Sequence, residues 1–340
     1  MEKIDFVIMW VDGSDKEWLE EKNKYSDVKI DVTNAANRFR DMGILKYWFR
    51  GVEKYASWVN KVHFVTWGHV PEWLDTNNPK LNIVKHEDFI PKKYLPLFNS
   101  CAIEMHLHRI KGLADKFVYF NDDMFLINHV DREYYFKNEL PCDLWRDNIP
   151  YCDKDTDPIF EHQLLNDKMI ISKHFNKREV MKKNFKKCIN LKYGKRNLRF
   201  LMLYKWPYMA GFDNFHTSAP YLKSTFEKVW SLEKDTLDMT SRSKFRRITD
   251  VNQYIFQLWQ IYEGNFEPKS YKRTGKFFNL SNDNTELYNC IDKQLVEQIC
   301  INDSDVGVNF ETIKKELILH FDKILPDKCC FEKSEDLSQK

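Results

Sequence analysis

Short apolar runs that end in acidic turns alternate with stretches of helical periodicity over the first third of the chain. Residues 4–11 (IDFVIMWV) are continuously apolar and rich in β-branched and aromatic side chains, and Asp-Gly-Ser-Asp follows at once. That pattern predicts a buried strand ending in a turn. From Asp41, the positions Ile44, Leu45, Trp48, Phe49, Val52 and Tyr55 follow the i, i+3, i+4, i+7 spacing of an amphipathic helix, with Asp41 as its N-cap. Further strands are predicted over 62–66 and 81–85, a helix over 100–113, and a strand over 116–120 that runs into Asn121-Asp122-Asp123. Strands alternating with helices imply an α/β fold: a mainly parallel sheet with helices on both faces.

The pattern changes after about residue 135. Residues 136–213 are rich in Lys, Asn and aromatics, with helical spacing around 179–189 and no strand alternation. They are expected to form a mostly helical insertion or subdomain. Helical spacing returns over 219–232, 251–262 and 310–325, so the core is expected to comprise 1–135 and 214–325. The polar end, 326–340, is expected to be a flexible tail.

Composition narrows the function classes. With 53 basic residues against 51 acidic ones, a net charge of +2 gives no bulk attraction for nucleic acid, and selectivity has to come from local sites. No apolar run approaches the roughly 18 residues of a membrane span, and the first residues lack a signal-peptide pattern. The expected location is therefore the cytoplasm. The eight cysteines show no CxxC spacing, which argues for free thiols rather than a zinc site or a disulfide framework. GxGxxG, GxxxxGK[ST] and GxSxG are all absent, which removes the main support for dinucleotide, P-loop and hydrolase-elbow readings.

The candidate chemistry lies where strands end. In open α/β sheets, ligands sit beyond the carboxyl ends of the strands, where Asp12 and the Asp122-Asp123 pair fall. Adjacent carboxylates suit a hard divalent cation, Mg²⁺ or Mn²⁺, bridging diphosphate oxygens; alternatively one carboxylate is a general base, or the acids only build the turn. Glu104 and His108, four apart on a predicted helix, share a face with Arg109 beside them, either toward the crevice or in solvent. Arg38 and Arg40 precede the Asp41 helix and either fork onto phosphate oxygens or pair with Asp41. Arg246, Arg247 and Asp250 form a second mixed phosphate and metal cluster, and the basic, turn-like segment over 240–247 beside it reads as a mobile loop near a phosphate. His216, before a predicted helix, either exchanges a proton near neutral pH or is structural. Trp10 and Trp67 either stack on a nucleobase or pack in the core.

Several of these segments together resemble the Stealth family of sugar-phosphate transferases, which includes bacterial capsular polysaccharide phosphotransferases. IDFVIMWVDGSD resembles the family's first conserved region. The stretch from NRFRDMGILKYWFRGVEKYASWV through KHEDF, with LPLFNSCAIEMHLHRIKGLADKFVYFNDDMFL, is similar to the second. HTSAPYLKSTFEKVW and FRRITDVNQYIFQLW resemble the third and fourth. The resemblance implies a Rossmann-like or GT-A-like nucleotide-sugar-binding core, a UDP-sugar donor and a divalent cation. It also implies transfer of sugar 1-phosphate to a hydroxyl of a saccharide or lipid-linked glycan, with release of UMP. Carried over by position, it assigns Glu104, Asp123, His216 and Arg247 to catalysis, with Arg246 adjacent to the last. Trp10, Asp12, Gly13, Arg38, Arg40, Asp41 and Arg109 fall to the substrates, and Asp122, Asp123 and Asp250 to the metal. A peripheral association with membrane polysaccharide machinery is part of the same expectation. The rival readings are a metal-dependent glycosyltransferase that releases UDP and a non-catalytic sugar-nucleotide sensor.

Overall fold

The structure, a computed structural model, describes residues 2–25, 42–152, 154, 156–303 and 309–334. Its centre is a five-stranded sheet of β1 (Ile4–Met9), β2 (Val62–Thr66), β3 (Leu81–Lys85), β4 (Lys116–Asn121) and β6 (Ala219–Leu222) in the order β6-β4-β1-β2-β3. The four N-terminal strands are parallel, and β6 closes the edge antiparallel to β4. Pro220 is tolerated in β6 because an edge strand can spare an N–H. The α/β sheet expected from the sequence is thus present.

Strand alternation separates two apolar layers. Phe6, Ile8, Val118 and Phe120 face one layer, which includes Trp48 and Phe49 of the helix Leu45–Tyr55. Val7, Phe117 and Tyr119 face the other, against Phe256 and Trp259 of the helix Tyr254–Glu263. With both faces covered, the central strands need continuous apolar runs, and IDFVIM is one. The chain order runs from β1 outward to β3 and then jumps back to β4 on the other side of β1. The gap beyond the ends of β1 and β4 is therefore a topological switch point, where such sheets bind ligands.

A second sheet, of β5 (Met124–Leu126), β7 (Lys276–Asn279) and β8 (Gln298–Asn302), has the order β7-β8-β5. The Asp122-Asp123 turn joins it to the main sheet, and the Ile301 N–H donates to the Asp123 carbonyl at 2.8 Å.

Five expectations are corrected. The helix after Asp41 starts at Leu45 with Ile44 at the cap; Asp41 itself lies outside the described residues. The helix expected over 100–113 stops at Glu104 and resumes as a 3-10 turn, Leu107–Arg109, where His106 stacks between Tyr94 and Trp230. Residues 219–222 are a strand, with the helix beginning only at Lys223. The segment over 240–247 is pinned, not mobile: the Lys244 ammonium donates to the Tyr94 and Pro96 carbonyls. Residues 326–334 are docked rather than frayed. Cys329 and Phe331 are buried, and Arg50 donates two hydrogen bonds to the Glu332 carboxylate at 2.7 and 2.9 Å. The stretch 136–213 is mainly helical, with only two- to four-residue strands too short to show alternation. Its longest helix, Pro158–His174, is capped by Asp157, whose side chain accepts from the Ile159 and Phe160 N–H groups.

Candidate active site

The site begins with β4. Alternation turns Tyr119 toward the layer that holds Glu104, and the strand end brings Asn121, Asp122 and Asp123 to the switch point. The Tyr119 hydroxyl lies 3.0 Å from Glu104 Oε1 and 2.5 Å from Asn121 Oδ1. Asn121 Nδ2 is 3.3 Å from His216 Nε2, and His216 Nε2 is in turn 3.3 Å from Asp123 Oδ2. The Cys300 thiol of β8 donates to Asp123 Oδ2 at 3.3 Å. A polar chain therefore runs from the buried Glu104 through Tyr119 and Asn121 to His216 and Asp123, which are partly exposed.

Its charges are tuned by what surrounds them. Burial pushes the Glu104 carboxyl above its ordinary range, against the Arg246 guanidinium, the Tyr119 hydroxyl and the Gln253 N–H, which pull it down. For His216 the surrounding protein favours the neutral ring, but the Asp123 charge and contact outweigh it, so its pKa ends above the usual 6.5. Arg246 interacts electrostatically with both Glu104 and His216, and it donates to Ser100 Oγ at 2.7 Å.

The residues present fit a divalent cation. Asp123 Oδ1 is buried with no hydrogen-bond partner, a costly state for a carboxylate oxygen and one that a cation would relieve. Ligand atoms of Asp123, His216 and Cys300 lie within 4.8 Å of one another, and they form the one such group among the described residues. Burial and the Asp123 charge push the Cys300 thiol well up, so it stays protonated and is a poor ligand for a hard ion. The set favoured for Mg²⁺ or Mn²⁺ is therefore carboxylate oxygen from the Asp122-Asp123 turn, with Asp122 exposed beside it.

The other sequence candidates divide. Asp250 is fully buried and satisfied: Oδ1 accepts from Ser243 Oγ at 2.7 Å, and Oδ2 accepts from Asn99 Nδ2 at 2.9 Å and the Arg247 N–H at 2.8 Å. It ties its own loop together and does not join Asp123. Arg247 is exposed and contributes that N–H, whereas Arg246 is the arginine electrostatically coupled to Glu104. Arg109 stacks on the Trp230 ring, 5.1 Å from its centroid, and His108 packs on Phe226 and Trp230; neither shares a helical face with Glu104. Trp10 packs on Phe64 and His69 at the end of β1. Trp67 lies against His69. Asp12 and Gly13 form the turn after β1, where the Asp12 N–H donates to His69 Nε2 at 2.7 Å and its Oδ1 accepts from Ser14. Arg38, Arg40 and Asp41 lie outside the described residues. Sequence reasoning missed Tyr119, Asn121 and Cys300 as members of the cluster. Only the period-2 alternation of KFVYFN pointed to the first two, and nothing marked Cys300.

The family descriptions Stealth protein CR1, conserved region 1, and Stealth protein CR2, conserved region 2, match residues 2–27 and 38–142. The chain is 42% identical over 338 residues to a capsular polysaccharide phosphotransferase WcwK of Streptococcus pneumoniae, covering 98% of this chain and 99% of that one. It is 38% identical to the exopolysaccharide phosphotransferase cps2G of Lactiplantibacillus plantarum, covering 97% and 96%, and 37% identical to the receptor polysaccharide phosphotransferase WefC of Streptococcus gordonii, covering 98% and 99%. Among solved structures, that of an active-site mutant of LgtC aligns over 93% of this chain and 95% of that one at 11% identity, with a TM-score of 0.36. The acidic turn, the histidine and the strand order thus stand in a chain that belongs, over nearly its full length, to the Stealth family of phosphotransferases.

Proposed function

We propose that this enzyme transfers a hexose or N-acetylhexosamine 1-phosphate from a UDP-sugar to a hydroxyl of a saccharide or lipid-linked glycan, forming a phosphodiester and releasing UMP. The observation that carries the reading is Asp123: one oxygen lies 3.3 Å from His216 Nε2, and the other is buried and unpartnered at the switch point. A carboxylate in that state suits a diphosphate-bound cation on one side and a proton-handling imidazole on the other. The relatives named as capsular and exopolysaccharide phosphotransferases support the same product class.

In this mechanism His216 takes the proton of the acceptor hydroxyl on Nδ1, the ring nitrogen opposite the Asp123 contact, while Asp123 Oδ2 accepts from the Nε2–H, orients the ring and stabilises the imidazolium that forms. The acceptor oxygen forms a bond to the sugar-bearing phosphorus as the bridging oxygen leaves with UMP. Arg246 sets positive charge beside the reacting phosphoryl oxygens, with Arg38 as a further partner for the diphosphate. Glu104 and Tyr119 hold Asn121, and through it His216, in place. Mg²⁺ or Mn²⁺ at Asp123, with Asp122, supplies charge neutralisation for the diphosphate when bound. Trp10, Asp12 and Gly13 line the adjacent end of β1 as the side facing the nucleoside.

The by-product tests it. Attack at phosphorus yields UMP stoichiometric with a new phosphodiester visible by ³¹P NMR, and the donor's anomeric configuration is kept. UDP as primary product with no phosphorus in the glycan would instead mean glycosyl transfer.

A further inference from the structure

Charge is distributed unevenly along this nearly neutral chain. Nine of its 53 basic residues and none of its 51 acidic ones fall in residues 180–212. The same stretch exposes large apolar side chains: Leu191 is 98% exposed, Leu198 67%, Leu201 50%, Met202 64%, Trp206 54% and Tyr208 51%.

Four of these side chains, Leu191, Leu198, Leu201 and Met202, are carried by one helix and the turn bound to it. Leu198, Leu201 and Met202 stand at i, i+3 and i+4 on the helix Arg196–Leu203, with Lys205 at the next position of that row, while Phe200 and Leu203 are buried beneath. Leu191 opens the turn Leu191–Tyr193, which is bound to the helix by hydrogen bonds between Asn190 and Asn197. Apolar groups of this size left in water beside a concentrated positive charge mark an interaction surface.

The geometry points to an anionic membrane surface as its partner: Leu191, Leu198, Leu201 and Met202 enter the headgroup boundary while the lysines contact lipid phosphates. Charge complementarity selects this occupant. Lysine is depleted in protein–protein interfaces, whereas apolar, Trp and Tyr side chains interleaved with lysine suit the lipid interface. Among the described residues no helix is long and apolar enough to cross a membrane, so the patch lies on the bilayer rather than in it. It is also tied to the site. Arg199 of the exposed helix pairs with Asp213, which the Tyr271 hydroxyl holds at 2.8 Å, and Asp213 lies three residues before His216.

The inference does not depend on the donor or on turnover, and its test reads binding alone. Full-length protein is floated with phosphatidylglycerol–phosphatidylcholine vesicles and with phosphatidylcholine vesicles. Binding is expected to the anionic vesicles only and to weaken with salt. L201E/M202E, at exposed positions, and K195E/K205E, at exposed lysines, are each expected to lower the vesicle-bound fraction about tenfold or more without shifting the melting temperature. No binding to anionic vesicles, equal binding to neutral ones, or variants that bind like the parent would overturn it. So would loss of vesicle binding to a competing soluble anionic polysaccharide, because the basic face would then be a glycan site.

Discussion

The turn after β4 and the loop over residues 243–250 each carry an acid that the sequence makes a candidate cation ligand, and the fold treats the two in opposite ways. Asp250 is sealed, with hydrogen bonds from Ser243, Asn99 and the Arg247 N–H. Asp123 keeps one oxygen without a partner and turns the other to a histidine. A satisfied buried carboxylate stabilises its loop, whereas an unsatisfied one stores a cost that only a ligand can repay. The difference lies in which donors the fold brings to each acid.

The largest effect should follow from removing the charge at the unsatisfied acid. Asp123→Asn keeps the shape, so turnover is expected to fall about a hundredfold or more with the melting temperature unchanged. Chelation should abolish activity in the parent, and Mg²⁺ or Mn²⁺ should restore it. A loss within about threefold in folded protein would make Asp123 a turn former like any other.

His216 sharpens the contrast through pH. Burial favours its neutral form, but Asp123 more than compensates, so the folded pKa lies above 6.5. The base form is the neutral one, and turnover should therefore climb as pH rises through that raised value. His216→Ala is expected to cost about a hundredfold at the plateau and to flatten the acidic limb. In Asp123→Asn the residual activity should keep a limb displaced to lower pH. A limb that stays in place in both variants would exclude His216 as the base.

The arginines next to the sealed acid are the third test. Arg246 is coupled to Glu104 and His216, while Arg247 is exposed and serves Asp250 through its backbone. Arg246→Ala should lower kcat/KM about tenfold or more, and Arg247→Ala about twofold or less. The reverse order would place Arg247 on the diphosphate and leave Arg246 a partner of Ser100.

How much of this was legible in the sequence follows from element length and from contacts. The strands β1 and β4 were legible because parallel strands covered on both faces are near-continuous apolar runs. Asp122-Asp123 was legible as paired acids after such a run. APYL was not: four residues cannot show alternation, and the helix that follows absorbed them into its own period. QICIN was missed as well, and with it Cys300, whose place beside Asp123 depends on pairing between β5 and β8. Glu104 was picked out together with His108 on the assumption of one helix, which the stacking of His106 interrupts. The choice between Arg246 and Arg247 could not be made from adjacent identical residues; only the direction of each side chain separates them.

The effect on turnover should also be small at Asp250 itself, and it completes the comparison. Asp250→Asn replaces one acceptor oxygen with an amide nitrogen. In one orientation that nitrogen faces the Asn99 amide and the Arg247 N–H, both donors; in the other it faces the Ser243 hydroxyl, which can turn to accept. The variant should take the second orientation and still weaken the remaining bonds, because a neutral carbonyl accepts less strongly than a carboxylate. A loss of about 1–3 kcal/mol in stability is expected, read by denaturant titration. Turnover below the unfolding transition should stay within about threefold, and the cation concentration for half activation should not move, because no ligand oxygen has been lost. A shifted cation requirement with unchanged stability would place Asp250 on the metal after all and erase the distinction between the two acids.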